Sequence, residues 1–354
     1  MNRRRFLDVA GGGLVAARAG LAKPPGSNLK VVEKGVVYDQ SPALIAGNCR
    51  CRNGDLLVAY NTSGDLGAGQ RIGILRSIDG GRSWGAPETH FESVFTRGGV
   101  EAGCSLTCLS TGRVLLPYAD GFYLHPGVKG NVDRHALLYC PTSDDNGRTW
   151  QNTKAHCYEG LEAFAFGTLV ELAGGTLLLP LWGAYDRQGV WGAGLVKSKD
   201  GGKTWSDWRP IVREHGDETP IVLLGDGRLL ALIRGYTNDS ERPFHVAHSS
   251  DGGDTWTPPR RVNLNGTSPA LDVTPKGRLL AGYRSTLKGA NCHMASSADG
   301  GLSWTFELEL ELPSGTWERG GYPAFENLPD GRIFATFHNS RPGWHVAYNM
   351  LVES

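Results

Sequence analysis

One eight-residue pattern, Ser-x-Asp-x-Gly-x-Ser/Thr-Trp, occurs five times in this chain and constrains its fold more than any other feature. The copies, called boxes below, begin 66, 55, 51 and 48 residues apart and lie at Ser77–Trp84, Ser143–Trp150, Ser198–Trp205, Ser249–Trp256 and Ser297–Trp304. A period near fifty residues indicates a repeat architecture. The Asp side chain can accept bonds from backbone N–H groups and the Gly can take a positive φ, so each box is predicted to be a turn between strands.

A second repeat lies between the boxes and consists of a Gly followed by large aliphatic or aromatic residues. Its six copies are Gly54–Leu57, Gly112–Leu115, Gly175–Leu178, Gly227–Leu230, Gly277–Leu280 and Gly331–Phe334. One unit therefore reads as strand, tight Gly turn, strand, loop, strand, box turn, strand. Four strands per unit and six units predict an all-β chain folded as a six-bladed β-propeller of four-stranded antiparallel blades. The 50 Gly and 19 Pro suit such a turn-rich chain.

The sixth unit, from about Tyr322 to Val352, has no box and contains three strand-like stretches. The segment Leu29–Tyr38 precedes the first unit and is otherwise unassigned. We expect it to supply the missing outer strand of the last blade, which would remove an exposed sheet edge. The sequence thus predicts a single propeller over residues 29–354.

The two repeats also predict which end of the units carries function. If the first strand of a unit runs downward, the Gly turn and the box turn both lie at the bottom, and the variable loops share the top. Functional residues on such scaffolds belong to the variable rim. Polar and aromatic residues expected there include Glu101, Trp182, Asp217, Glu218, Arg234, Ser268, Arg284, Tyr322 and His338.

Composition narrows the range of partners. The formal net charge is zero, the pI is near 7.1 and no basic patch is visible, which argues against a nucleic acid partner. No run of eighteen apolar residues occurs, so no membrane span is expected. Oligomeric state leaves no mark in the sequence.

The N-terminal residues 1–22 do not fit the repeat. Arg3-Arg4-Arg5-Phe6-Leu7 resembles a twin-arginine export signal, and a mildly apolar, Gly-rich stretch and small residues follow. We therefore expect an exported protein, periplasmic or extracellular; a disordered basic tail is the alternative.

The seven cysteines are expected to be mostly buried free thiols. An odd number leaves at least one unpaired, and one or two disulfides between blades are the alternative. No Cys-x-x-Cys motif occurs, which argues against a zinc site.

Boxes of this form on six predicted blades resemble those of the sialidase (neuraminidase) superfamily, and the resemblance covers residues 30–354. In sialidases a Glu opens one strand and an Arg closes the next, as Glu218 and Arg234 do here. Tyr322 precedes a Pro at the start of the last unit, where a sialidase nucleophile stands. The resemblance implies a retaining exo-glycosidase that releases terminal α-linked sialic acid or a related acidic sugar from glycans, without a cofactor or metal.

The resemblance also implies roles for these residues. Tyr322 would attack the anomeric carbon, Glu218 would take its proton, and Arg234 would bind the sugar carboxylate. A phenol has a pKa of about 10 and needs a base to attack at neutral pH. Tyrosine nucleophiles are a known exception to the two-carboxylate scheme of glycosidases.

Two further site residues are expected from their places in the units. Asp65 is the only carboxylate in the loop after the second strand of the first unit, and we expect it to be the general acid and base. Arg284 ends the second strand of the fifth unit and is expected to bind the substrate carboxylate, with Arg71 and Arg319 as competitors.

One departure from the family keeps other functions open. The first-blade Arg of sialidases stands two residues before a Pro that resembles Pro42, and Gln40 occupies that position. A glycosidase or polysaccharide lyase acting on a different sugar is therefore one alternative. A noncatalytic propeller that binds glycans is another.

Overall fold

The computed structural model describes residues 27–40, 42–64, 66–123, 134–152, 163–184, 191–206, 208–237, 240–286, 291–318, 320–341 and 343–354. Within these ranges the chain forms strands and turns without a helix, which confirms the all-β prediction. It follows that no helix in the described ranges is long and apolar enough to cross a membrane. The predicted export signal, residues 1–22, lies outside them.

The strands are short and follow one another along the whole described chain. In order they are β1 (Leu29–Tyr38), β2 (Leu44–Arg50), β3 (Leu56–Asn61), β4 (Ile72–Ser77), β5 (Glu88–Phe91), β6 (Gly99–Glu101), β7 (Thr107–Cys108), β8 (Val114–Leu115), β9 (Tyr118–Tyr123), β10 (Arg134–Tyr139), β11 (Thr142–Ser143), β12 (Phe164–Ala165), β13 (Val170–Glu171), β14 (Leu177–Ala184), β15 (Trp191–Ser198), β16 (Arg209–Val212), β17 (Ile221–Leu223), β18 (Leu229–Ile233), β19 (Pro243–Ser249), β20 (Arg260–Val273), β21 (Leu279–Ser285), β22 (Cys292–Ser297), β23 (Thr305–Glu309), β24 (Gly321–Asn327), β25 (Ile333–Asn339) and β26 (His345–Glu353).

Antiparallel pairing sorts these strands into six successive groups. The first is β2 to β5, the second comprises β6 to β11 as two small sheets, and the third is β12 to β16. Strand β20 belongs to two groups, because its part up to Asn265 pairs with β19 and its part from Gly266 pairs with β21. The fourth group is thus β17 to β20 and the fifth β20 to β23. The groups follow the units read from the sequence. Four of them have the four strands predicted, whereas the second has six short strands and the third has five.

The sixth group joins the two ends of the described chain. Strand β1 pairs with β26, from Leu29 opposite Glu353 to Tyr38 opposite Val346, and the sheet order is β1-β26-β25-β24. This is the pairing expected for Leu29–Tyr38, and it gives the last group its fourth strand.

Each box is a turn held by its own side chains. In the third box, Ser198 Oγ donates to Asp200 Oδ1 at 2.8 Å and accepts the Gly202 N–H at 2.9 Å. The Thr204 N–H and hydroxyl donate to the Asp200 carboxylate at 2.9 and 2.6 Å. Burial works against the charge, but these bonds lower the pKa of Asp200 to about 2. The other four boxes repeat the arrangement, so the box Asp residues are locally bonded turn residues, as predicted.

The register places boxes and Gly turns at one end of their groups. In five groups the box Ser lies directly opposite a residue that follows the Gly turn; the pairs are Ser77 with Leu56, Ser143 with Val114, Ser198 with Leu177, Ser249 with Leu229 and Ser297 with Leu279. This confirms that the two repeats share an end, which we call the box end.

The boxes are also where consecutive groups dock. Gly202, with φ +89°, lies so close to the preceding group that a Cβ there would stand 2.5 Å from Leu115 Cδ2. A side chain cannot be added without moving the neighbour, which explains Gly at this position. A Cβ added at Gly81 of the first box would lie nearest to the ring of Phe334, a residue of the sixth group.

Six of the seven cysteines lie in the described residues, and each is a free thiol. All but Cys108 are buried. The expectation of buried free thiols is therefore confirmed for five of these six, Cys108 being free but half-buried, and the disulfide alternative does not hold among them. Cys157 lies outside the described residues.

Two half-buried carboxyl groups, Asp272 in β20 and Glu326 in β24, lie near the box end and interact through their charges. Asn327, next to Glu326, donates through Nδ2 to Asp272 Oδ2 at 3.1 Å and to the Val273 carbonyl at 2.9 Å. Burial raises the pKa of Asp272 from 3.8 to about 7. Burial and the charge of Asp272 raise the pKa of Glu326 from 4.5 to about 8.

These two carboxyl groups should make folding stability fall as pH rises. Unfolded, they lose their protons near pH 4, whereas folded they keep them up to about pH 7 and 8. Between those values the folded state binds more protons, so the free energy of unfolding decreases with pH. We expect the double variant Asp272→Asn, Glu326→Gln to remove a decrease on the order of 3 kcal/mol, measured by urea unfolding at about pH 5 and about pH 8.

A matched control is Asp226→Asn, because Asp226 is exposed and paired only with its near neighbour Arg228. That variant should keep the wild-type pH profile. A double variant whose stability still falls with pH as the wild type does would contradict the assignment.

Candidate functional site

Glu218, Arg234 and Tyr322 meet at the end of the strands opposite the boxes. Glu218 stands just before β17, and the Asp217 N–H donates to the Arg234 carbonyl at 2.9 Å across the β17–β18 pair. The Gly227 turn closes the other end of that pair. Tyr322 is the second residue of β24. Strand register thus brings together the three residues predicted from their spacing.

Tyr322 donates a hydrogen bond from Oη to Glu218 Oε1 at 2.5 Å. Burial and the adjacent Glu218 carboxylate raise the pKa of Tyr322 well above its ordinary value of 10.0. The phenol is therefore protonated at neutral pH. Any reaction that turns it into a nucleophile must move its proton, and the bonded acceptor is Glu218.

The second oxygen of Glu218 is also occupied. Oε2 accepts the Ser268 N–H at 3.1 Å and forms an ion pair with Arg234 Nη1. Arg234 Nη2 also lies 3.6 Å from Asp217 Oδ2. Burial opposes the charge of Arg234, but the Glu218 and Asp217 carboxylates outweigh it and raise its pKa. The Glu218 carboxylate is thus fixed in orientation, with Oε1 directed at the phenol.

Backbone bulges turn the site residues toward one another. Tyr322 and Ser268 both have φ 54°, and each lies in a register irregularity of its strand, β24 or β20. Such a conformation is strained for a residue with a bulky side chain and is common next to active sites. A bulge redirects a side chain out of the strand's regular alternation. Ile45 in β2, with φ 50°, occupies the same kind of bulge.

Gln40, which the sequence predicts in place of the family's first-blade Arg, is exposed and precedes β2. The bulge residue Ile45 is followed by Ala46, whereas Ser268 and Tyr322 are each followed by a Pro.

A small cavity of about 10 Å³ lies beside the hydrogen-bonded pair. Residues from several groups line it: Ile45, Glu101, Gly103, Phe164, Ala165, Phe166, Trp182, Glu218 and Tyr322. Aromatic rings form one wall, because Phe164 stacks on Trp182 with centroids 4.7 Å apart and Phe166 meets Tyr322 edge-on at 6.0 Å. We call this the rim pocket.

His338 supports Tyr322 from the other side. The two rings stack with centroids 5.4 Å apart, and His338 Nδ1 accepts the Ile45 N–H at 2.9 Å. His338 thus ties the Tyr322 ring to the bulge in β2. The sequence placed His338 on the rim but gave it no role, because its function depends on a contact between residues 293 apart.

Larger depressions lie at the box end, and one of them measures about 620 Å³. Asp226, Arg228, Arg278 and Asp299 are among its lining residues. Arg228 pairs with Asp226 at 2.7 Å within one turn, and Arg278 pairs with Glu353 of the next group at 3.0 Å, so these charges bind each other. The hydrogen-bonded pair of Tyr322 and Glu218 lines the smaller rim pocket instead.

Arg284, which the sequence predicts to bind the substrate carboxylate, forms hydrogen bonds with two neighbouring residues in the structure. Its Nε donates to Thr267 Oγ1 at 3.0 Å and its Nη1 to the Gly320 carbonyl at 3.5 Å. The side chain also packs against Gly321, the residue before Tyr322. Of its competitors, Arg71 pairs with Glu92 at 3.1 Å on the surface, and Arg319 lies outside the described residues.

Asp65, the expected general acid, lies outside the described residues. The following residue, Leu66, is buried, and its N–H donates to Glu101 Oε2 at 3.0 Å. Glu101 lines the rim pocket. Sequence reasoning gave Glu101 no role, since a carboxylate near a strand end carries no further signal. Among the described His, Cys, Asp and Glu residues, no group of three is placed to hold a metal ion.

The chain matches a known family and is similar to sialidases. Residues 54–275 match the family described as BNR repeat-like domain. A sialidase from Bacteroides fragilis is 28% identical over 335 residues, which is 84% of this chain, and one from Micromonospora viridifaciens is 24% identical over 96% of it. The chain spans only 59% and 56% of the length of these two relatives.

Solved structures show the same fold. A protein of unknown function from Dyadobacter fermentans superposes with a TM-score of 0.79 at 21% identity, covering 92% of this chain and all of that one. A Hadza microbial sialidase superposes with a TM-score of 0.70 at 22% identity, covering 88% of this chain and 66% of its own.

Proposed function

The chain belongs to the BNR repeat-like family within the sialidase superfamily, and we propose that it is a retaining exo-glycosidase with Tyr322 as its nucleophile. The observation that carries the proposal is the 2.5 Å hydrogen bond from the Tyr322 phenol to a Glu218 carboxylate already fixed by Arg234 and Ser268. A phenol paired with a positioned base is suited to covalent catalysis. Terminal sialic acid, the sugar that the resemblance implies, is the first substrate to test.

In the first half-reaction Tyr322 Oη bonds to the anomeric carbon and its proton passes to Glu218 Oε1. The bond from that carbon to the leaving oxygen breaks, and the leaving oxygen takes a proton from the general acid, for which we propose Asp65. The product is an aryl glycoside, with the anomeric carbon bonded to Tyr322 Oη.

In the second half-reaction water attacks the anomeric carbon and gives a proton to the Asp65 carboxylate. The bond to Tyr322 Oη breaks, and the phenolate takes its proton back from Glu218. Arg234 stays paired with Glu218 throughout and offsets part of its charge when the carboxylate is restored. Two displacements at one carbon give net retention of configuration.

We also propose that the six strand groups are the blades of one propeller. The pairing of β1 with β26 joins the chain's described ends, and Gly81 in the first group adjoins Phe334 in the sixth. Docking of consecutive groups at their boxes supports a closed ring. The arginine pair near the N-terminus supports export of the folded protein to the periplasm or outside the cell.

A screen of aryl glycosides tests the proposed function. We expect fluorophore release from at least one 4-methylumbelliferyl glycoside, α-sialosides included, with retained configuration of the sugar product by NMR. A glycan-binding protein without activity would release none, yet would melt at a higher temperature with its glycan. That outcome would contradict the proposal.

A further inference from the structure

The loop between β3 and β4 carries Asp65, the proposed general acid, and both chain neighbours of Asp65 lie in the described residues. The Gly67 N–H donates to the Gly64 carbonyl at 3.2 Å, so the chain makes a tight turn there. Leu66 has φ 52°, which is a strained conformation for a residue with a bulky side chain. Its side chain is buried in a cluster with Phe164. An apolar side chain thus anchors the turn at the residue that follows Asp65.

This loop is held against β6 of the second group at two places. At its start, Asn61 exchanges two hydrogen bonds with the backbone of Ala102, each of 3.0 Å. Further along, the two backbones touch, because a Cβ added at Gly99 would stand 2.4 Å from the Gly67 carbonyl oxygen. The loop of the first group therefore takes its position from the innermost strand of the second.

Glu101, the last residue of β6, links this turn to the rim pocket. Its Oε2 accepts the Leu66 N–H at 3.0 Å. A bond from an N–H to an ionised carboxylate is stronger than one between two neutral groups. Glu101 also lines the rim pocket together with Tyr322 and Glu218. One side chain thus joins the turn that carries the proposed acid to the wall that carries the proposed nucleophile.

We propose that Glu101 is a positioning residue for the general acid, and that its bond to the Leu66 N–H places Asp65 against the leaving oxygen. This inference rests on the proposed function, because it takes Asp65 as the acid and Tyr322 as the nucleophile. The proton that the leaving oxygen gains comes from Asp65 as the glycosidic bond breaks, and Glu101 exchanges no proton. A misplacement of about 1 Å can cost on the order of 10²-fold in rate, so loss of one bond at this turn should have a large effect.

The leaving group of the substrate separates acid catalysis from folding and from sugar binding. An aryl oxide leaves with little help from an acid, whereas the oxygen of an alkyl glycoside must be protonated as it leaves. We expect Glu101→Ala to lower kcat/KM by about 10²-fold for an alkyl glycoside and by less than about threefold for the 4-methylumbelliferyl glycoside of the same sugar. The ratio of the two values from one preparation does not depend on any unfolded fraction. A ratio equal to that of the wild type would overturn the inference.

Two further variants test the bond itself. Glu101→Gln keeps an oxygen that can accept the Leu66 N–H, so it should recover most of the kcat/KM that Glu101→Ala loses on the alkyl glycoside. Glu171→Ala is the matched control, because Glu171 Oε2 likewise accepts a backbone N–H of another group, that of Ser110 at 2.8 Å, but at the box end. It should keep the wild-type ratio. A Glu101→Gln protein as impaired as Glu101→Ala would overturn the role of this bond.

Asp65→Ala distinguishes failure of this inference from failure of the proposed function. If Asp65 is the acid, its removal should lower kcat/KM for the alkyl glycoside by about 10²- to 10⁴-fold and affect the aryl glycoside much less. That result, together with a wild-type ratio in Glu101→Ala, would overturn the inference alone. A wild-type ratio in Asp65→Ala would overturn the proposed acid, and turnover of no glycoside by the wild type would overturn the proposed function; the inference would fail with either.

Discussion

Replacing Tyr322 with Phe is expected to lower turnover of the best glycoside by at least about 10³-fold. The change removes one oxygen atom, and with it the nucleophile. The ring contacts to Phe166 and His338 stay, and Glu218 keeps its bonds to Ser268 and Arg234. The variant should therefore fold and bind substrate. The measurement is steady-state kinetics, with circular dichroism and thermal melting as the check on folding.

Tyr348→Phe is a matched control for this variant. Tyr348 also donates a hydrogen bond to a glutamate, Glu33, at 2.8 Å, but it does so between β26 and β1 and away from the rim pocket. Its loss should cost stability on the order of 1 kcal/mol and leave turnover unchanged. Full activity of folded Tyr322→Phe protein would rule out the phenol as the nucleophile.

Glu218→Gln is expected to have the second largest effect, a loss of about 10²- to 10⁴-fold in kcat. Gln keeps the shape and an oxygen acceptor, but it cannot take the phenol proton as a carboxylate does. Because burial raises the pKa of Tyr322, ionisation of the phenol at neutral pH needs a proton acceptor beside it. KM should change much less than kcat, since the sugar is held by other residues.

A double variant shows whether Tyr322 and Glu218 act in the same step or contribute independently. If Glu218 acts only through Tyr322, the double variant Tyr322→Phe, Glu218→Gln should be no less active than Tyr322→Phe alone. Glu33→Gln, which alters the partner of Tyr348, is the matched control and should retain wild-type kcat. A Glu218→Gln enzyme with normal kcat would remove the proton acceptor from the mechanism.

The repeats made most of the strand order predictable from sequence. A box of eight residues fixes its own geometry through local hydrogen bonds, so its form does not depend on distant residues. The Gly turns likewise form through hydrogen bonds between residues close in sequence. The pairing of Leu29–Tyr38 with β26 could be expected because the last unit lacked a strand.

Part of the site was predictable from the sequence. The rest was not, because it depends on backbone bulges. Glu218 and Arg234 belong to one strand pair, so their spacing in sequence sets their spacing in space. The positive φ of Ile45, Ser268 and Tyr322 is invisible in the sequence. Arg284 was expected to bind substrate, and its role stays a prediction; its contacts with Thr267 Oγ1 and the Gly320 carbonyl are set by tertiary structure and could not be read from the sequence.

The most direct test of the central claim is to identify the atom that bonds to the sugar. A slow fluorinated glycosyl fluoride, of the sugar found in the aryl glycoside screen, should accumulate as a covalent intermediate. Intact-mass spectrometry should then show one added sugar per chain, and peptide mapping should place it on Tyr322. A sugar attached to any other residue, or no adduct together with inverted product configuration, would contradict the account.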